Sequence, residues 1–308
     1  MAVRQLLLKA SQNKWLQHHA TKYGFLRRAV RRFLPGEALD EALVACRDLA
    51  KFNISSVLTH LGENVTDRNE AAAITKHYLD VLDLIRSCGL PVELSVKLTQ
   101  LGLDLDPNYC LSNLSNLLAR SPTDRILWID MEQNSYVEPT LQLFWRAREA
   151  YPHVGICIQA YLRRTEKDVD QLIAGGAAVR LVKGAYNEPA DVAFSKKRDV
   201  DENYYRLAQK LLTSEARGTG VRAAFATHDR GLINRLVARA TFEGLDKEKL
   251  EFQMLYGIQK PEQMRLANAG YQMRVLVSYG SHWFPWFMRR LAERPANVLF
   301  LVRNLISS

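Results

Sequence analysis

The first 36 residues contain no aspartate or glutamate. Against that gap stand Arg4, Lys9, Lys14, Lys22, Arg27, Arg28, Arg31 and Arg32, a local charge of +8 in a chain whose formal net charge is +9. The remainder is therefore nearly neutral, which argues against a nucleic-acid groove spread over the protein, and no nucleic-acid partner is expected. No run of about 18 apolar residues occurs, so no membrane-spanning helix is expected. No charged, apolar and small-residue leader pattern opens the chain, so no secretion signal is expected. The four cysteines, Cys46, Cys88, Cys110 and Cys157, form no C-x-x-C pair. Their scatter fits reduced thiols in a cytoplasmic protein, each a small core hydrophobe, better than a disulfide framework. Neither GxGxxG nor GxxxxGK[ST] is present, and no H-x-H, HExxH or close Cys/His set points to a metal.

What is present is an ordinary globular composition, 47% hydrophobic and 24% charged over 308 residues. The basic arm has an apolar side in Leu6, Leu7, Leu8, Trp15, Leu16, Phe25, Leu26 and Phe33. Three readings fit it: a helix with a solvated basic face, an amphipathic segment (residues 1–34) lying on an anionic membrane, and a transit peptide, against which its few serines count.

After Pro35-Gly36, apolar residues at helical spacing predict a helix over 37–51. An alternation then begins. Strand candidates are 53–59, 92–98, 125–131, 154–160, 179–183, 221–227, 250–254 and 273–278, with amphipathic helical stretches such as 67–87 and 230–243 between them. Eight strands alternating with helices predict a (β/α)8 barrel of the TIM type. A doubly wound sheet would also alternate, but it would usually announce a dinucleotide site. The expected organisation is a basic helical arm over 1–52 and one catalytic barrel over 53–308.

The octapeptide VRLVKGAY (179–186) runs as a strand and stops at a cation, a glycine and a tyrosine. Alone it reads equally well as a strand end with a snorkelling lysine and a turn glycine. The pattern recurs, however. The predicted strands lead to Glu63, Lys97, Asp130-Met131-Glu132, Gln159 with Tyr161, Lys183 with Tyr186, Thr227-His228-Asp229, Gln253 with Tyr256, and Tyr279. Each has a dull explanation by itself: Lys97 as a snorkelling lysine, Asp130 as a helix cap, His228 as a satisfied near-core imidazole. In a barrel they converge on one face, where active sites form. A last helix, 282–293, carries Arg289, Arg290 and Glu293 behind the bulky aromatics Trp283, Phe284 and Trp286. It reads either as a surface helix with a local ion pair or as a carboxylate clamp under a water-excluding lid.

Taken together, HLGENV, VKLTQLGLDL, IDME, QAYLRRTEKD, RLVKGAY with NEP, ATHD, EFQMLYG and RRLAERPAN resemble proline dehydrogenase of the compact, single-activity bacterial type. The resemblance runs in order from about residue 36 to 306. It implies a barrel holding FAD non-covalently, oxidation of L-proline to Δ1-pyrroline-5-carboxylate in proline degradation, and electron delivery to a membrane quinone. It further implies that Lys97, Arg289 and Arg290 hold the substrate carboxylate, with Glu63 as their acidic partner. Asp130 and Tyr186 fall at active-site positions. Met131, Gln159, Arg180, Lys183, Gly184, Ala185, Thr227 and His228 fall at flavin contacts, supported by Gln253 and Glu293.

The pocket also departs from that pattern. Leu276 and Ser278 stand where relatives often carry tyrosine and proline, and Trp286 stands where tyrosine is usual. Hydroxyproline or another ring-substituted analogue is therefore an alternative substrate. Two competitors are a Schiff-base aldolase using Lys97 or Lys183, and a catalytically inert barrel that binds a carboxylate ligand or a membrane.

Overall fold

The computed structural model describes residues 30–293, with side chains to 288. A first helix, α1 (Leu39–Ala50), precedes β1 (Ile54–His60). Then follow α2 (Arg68–Cys88), β2 (Val92–Val96), α3 (Pro107–Arg120), β3 (Leu127–Ile129), α4 (Val137–Ala150) and β4 (Val154–Gln159). The chain continues with α5 (Thr165–Ala174), β5 (Ala178–Val182), α6 (Lys197–Leu212), the short α7 (Ser214–Gly218) and β6 (Arg222–Ala226). It ends in α8 (Arg230–Phe242), β7 (Glu251–Leu255), α9 (Lys260–Asn268), β8 (Gln272–Tyr279) and α10 (Trp283–Glu293). The strands pair in parallel in chain order, and β8 closes on β1 from Ile54↔Met273 to His60↔Tyr279. The predicted (β/α)8 barrel is thus the observed fold.

Side-chain alternation along each strand divides the core into two parts. One set faces the helices: Leu58, Leu94, Ile129, Ile156, Ile158, Val179, Leu181, Phe225, Phe252, Val275 and Val277 join Tyr78, Leu114, Phe144 and Tyr204 in one continuous apolar layer. Each aliphatic side chain buried there contributes about 2 kcal/mol. The other set faces the barrel axis, where a small apolar cluster of Val57, Trp128, Ala178 and Ala224 is packed against Ile126 and Leu276. Below it the axis is ionic. Arg222 bonds Glu93 at 2.6 Å and Glu251 at 2.8 Å, and Arg274 lies 3.1 Å from Glu251 and 3.4 Å from Glu93. Matched charges make this burial tolerable.

Helix starts follow local chemistry. Asp67, Asp106 and Asp229 cap α2, α3 and α8 with their carboxylates, and Pro107 opens α3. Gly89 ends α2 in the left-handed region at φ 62°. A separate apolar cluster of Val30, Leu34, Leu61, Trp283, Phe284, Trp286 and Phe287 fastens α10 to the chain just before α1. Helix α1 itself shares the main core through Ala42, Leu43, Ala45 and Cys46. The rest of the basic arm lies outside the described residues.

The strand at 125–131 is shorter than expected, only Leu127–Ile129. Asp130 still donates its N–H to the Val96 carbonyl at 2.9 Å. Its carboxylate is drawn to cations across the mouth, and the chain turns there.

Candidate active site

Parallel strands deliver their C-terminal ends to one mouth of the barrel. Asp130, beyond β3, is the hub. Its Oδ1 accepts from Ser95 Oγ at 2.7 Å and from Arg180 Nη1 at 2.9 Å. Its Oδ2 accepts from Lys97 Nζ at 3.4 Å. Burial would push the carboxyl up, but Lys97, Arg180 and the Ser95 hydroxyl outweigh it and hold Asp130 below the usual carboxylate range. Arg180 is only 4% exposed. Its Nη1 also donates to Ser95 Oγ at 2.9 Å, while Nε and Nη2 have no hydrogen-bond partner among the described residues.

Gln159, at the end of β4, is oriented by its own amide. Nε2 donates to the Met131 and Glu132 carbonyls at 3.4 and 3.1 Å, which leaves Oε1 buried and unpartnered. The mouth therefore offers two unused buried donors and one unused buried acceptor. Buried polar groups are ordinarily satisfied, so these mark where a polar ligand belongs. Gly184 follows β5 at φ 108°, and a β-carbon there would overlap the Tyr161 ring. The glycine lets the backbone pass where no side chain fits. An isoalloxazine ring, with one N–H and several acceptor atoms along its edge, fits that donor and acceptor set.

Beside it, Lys183 bonds Asp201 of α6 at 2.5 Å and Asp229 at 3.1 Å. Lys197 of α6 joins both aspartates. Lys183 thus lies between two carboxylates, and Lys97 against one. His228 Nε2 accepts the Leu255 N–H at 2.9 Å, which puts the ring proton on Nδ1. Thr227 is buried and its hydroxyl accepts the Asp229 N–H at 3.2 Å. Met131 is buried beside Asp130, and Ala185 and Tyr186 follow Gly184 at the rim.

Glu63 sits in the loop after β1, just beyond Gly62. That loop is pinned from below: Asn64 and Val65 donate their N–H groups to the Thr99 hydroxyl at 3.1 Å and the Thr99 carbonyl at 3.2 Å. Arg289, Arg290 and Glu293 lie on α10, but their side chains fall outside the described residues.

Gln253 is buried on β7, and its amide donates to Glu251, two residues earlier, at 2.7 Å. Tyr279 points outward, is 1% exposed, and its hydroxyl meets His77 Nε2 of α2 at 2.8 Å. Alternation sends Tyr279 to the helix side. Ser95 was not singled out in the sequence, although it ties Asp130 to Arg180. Its position on β2, two residues before Lys97, is the signal that could have found it.

A family model for proline dehydrogenase matches residues 42–303. The chain belongs to the proline dehydrogenase family. That places it among the oxidoreductases. It is 37% identical over 306 residues to proline dehydrogenase 2 of Bacillus subtilis strain 168, covering 99% of both chains. It is 33% identical over 281 residues to proline dehydrogenase of Deinococcus radiodurans, covering 89% of each. Among solved structures, proline utilization A from Bdellovibrio bacteriovorus superposes with TM-score 0.80 at 25% identity. That alignment covers 94% of this chain and 36% of the other, so this chain spans about a third of the longer protein. Proline utilization A from Corynebacterium freiburgense shares the fold at 20% identity and TM-score 0.73. Among the described residues, no group of His, Cys, Asp or Glu could hold a metal ion.

Proposed function

We propose that this chain oxidises L-proline to Δ1-pyrroline-5-carboxylate with non-covalent FAD at the C-terminal mouth of the barrel. The observation that carries the reading is Arg180, a buried guanidinium bonded to Asp130 and Ser95 on one nitrogen and unpartnered on two others. When bound, the flavin supplies the acceptor for the hydride that leaves the ring carbon next to the proline nitrogen. Arg180 and Gln159 would hold its polar edge, with Met131, Gly184, Ala185, Thr227 and His228 along the cofactor. Arg180 supplies fixed positive charge where electron density collects, and Lys183 holds a second cation nearby.

Proline is a zwitterion, so its carboxylate needs cations. Lys97, Arg289 and Arg290 form that clamp, with Glu63 and Asp130 as counter-charges that keep burial affordable. Asp130 holds Lys97 and Arg180 apart and aimed. Tyr186 closes the rim. Buried with Leu61, the Trp283, Phe284 and Phe287 side chains fasten α10 to the chain just after β1, which supports its reading as a water-excluding cover.

Anaerobic addition of L-proline should bleach a flavin spectrum in the purified protein. A colourless protein, or a flavin untouched by proline, would overturn the proposal. Leu276 favours a second substrate reading. It packs against the apolar cluster of the barrel axis and brings no hydroxyl to the pocket, leaving tolerance for a ring-substituted analogue such as hydroxyproline. If proline is turned over efficiently and ring-substituted analogues are inert, that variant fails.

We assign electron delivery to a membrane quinone, with residues 1–34 as a peripheral contact at the cytoplasmic surface. No helix among the described residues is long and apolar enough to cross a membrane. The arm's +8 supports attraction to anionic lipid. Salt-sensitive binding to anionic vesicles, lost on deleting residues 1–29, which spares the Val30 and Leu34 packed on α10, is the expected result; no binding at low salt would end this assignment.

A further inference from the structure

Trp128 is wholly buried on the barrel axis, one layer beneath the mouth. Its ring lies 4.6 Å from the Arg180 guanidinium carbon and 5.5 Å from that of Arg222. Its Nε1–H donates to Glu93 at 2.7 Å. The indole therefore joins the ionic floor of the barrel to the cation at its mouth. Space for it is made by small neighbours. Gly155, its register partner on β4, would place a β-carbon 2.7 Å from the ring, and Ala178 and Ala224 flank it.

We propose that Trp128 is the positioning residue for Arg180. Arg180 is hydrogen-bonded through one terminal nitrogen only. Two bonds at one nitrogen hold that end of the guanidinium and leave its Nε and Nη2 edge without a hydrogen-bonding support. A face-on ring steadies the whole plane, because a cation is drawn to the π-face of an indole. Glu93 locks the indole in turn, and Glu93 is held by Arg222 at 2.6 Å. The orientation of the unpartnered Nε and Nη2 groups is thus set from below by a side chain that touches neither substrate nor cofactor.

This inference rests on the proposed flavin site, and its test separates the two. FAD is titrated into the apoprotein of the wild type, Trp128→Leu, Trp128→Phe and Gly155→Ala, and the midpoint potential of the bound flavin is measured by dye equilibration. Trp128→Leu should weaken FAD binding about tenfold and lower the potential, since the cation is no longer held against the reduced ring. It should slow flavin reduction by proline about tenfold with KM changed less than about twofold. Trp128→Phe, which keeps a π-face, should recover most of the loss. Wild-type affinity and potential in folded Trp128→Leu would overturn the role. Should that variant not fold, Gly155→Ala decides: its β-carbon would meet Ile126 at 2.6 Å and the indole at 2.7 Å and crowd the ring, so an unchanged potential and affinity there overturn the role and a shift supports it. A wild type that takes up no FAD would instead overturn the flavin site, and this role with it.

Discussion

The Thr99 hydroxyl donates to the Glu132 carboxylate at 2.8 Å inside the protein. The Thr99 N–H reaches the same carboxylate at 3.3 Å. Because Thr99 also accepts the backbone of Asn64 and Val65, this pair fastens the loop that carries Glu63. Positional control of a charge on one loop thus comes from a carboxyl on another.

Glu132 and His60 should pull stability in opposite directions with pH. Burial raises the Glu132 carboxyl to about 7, outweighing Lys97 and the Thr99 bonds. Burial lowers His60 to about 4, assisted by His77, His282 and Lys97. Folded Glu132 keeps a proton that the unfolded chain releases from about pH 4.5 upward, so its influence lowers stability as pH rises toward 7. Folded His60 lacks a proton that the unfolded chain binds below about 6.5, so its influence lowers stability as pH falls toward 4. The two oppose each other between about pH 4.5 and 6.5. Glu132→Gln removes one of them and should gain roughly 2–3 kcal/mol relative to wild type between pH 5 and pH 8. Urea unfolding at several pH values checks this; parallel profiles for the two proteins would refute it.

Asp130→Asn should cost roughly 100-fold or more in kcat/KM, because Lys97 and Arg180 then face each other without their shared carboxylate. Steady-state kinetics on flavin-loaded protein decide it. A loss below about fivefold would mean that Asp130 does not organise the two cations.

Gly184→Ala combines a left-handed backbone with a collision against Tyr161. We expect a loss of about 1–3 kcal/mol and a reduced flavin-to-protein ratio after purification. Thermal melts and absorbance measure both. Unchanged stability together with full flavin content would show that the loop simply relaxes.

Arg289→Met and Arg290→Met should each raise KM for proline about tenfold or more while flavin remains bound. Loss of flavin with unchanged substrate affinity would contradict the clamp.

How much of this was legible beforehand varies with the range of the interaction. The alternation of apolar runs is a local signal, so the barrel and the convergence of Lys97, Asp130 and Lys183 could be read from spacing alone. The strand expected over 125–131 is only Leu127–Ile129, and its C-terminal end meets an interaction across the mouth, Asp130 with Lys97 and Arg180. Tyr279 lies on the helix side rather than at the mouth, since a strand's period names two faces without saying which is inner.

By itself, the order of residues determined the eightfold alternation, the polar strand tips and the excess positive charge before Pro35-Gly36. These depend only on neighbours along the chain. Only the tertiary structure decided that Ser95 bridges Asp130 and Arg180, that Lys183 is held between Asp201 and Asp229, and that Trp128 stacks beneath Arg180. Those partners lie on different strands and helices, and barrel closure brings them within bonding distance without leaving any periodic trace in the sequence.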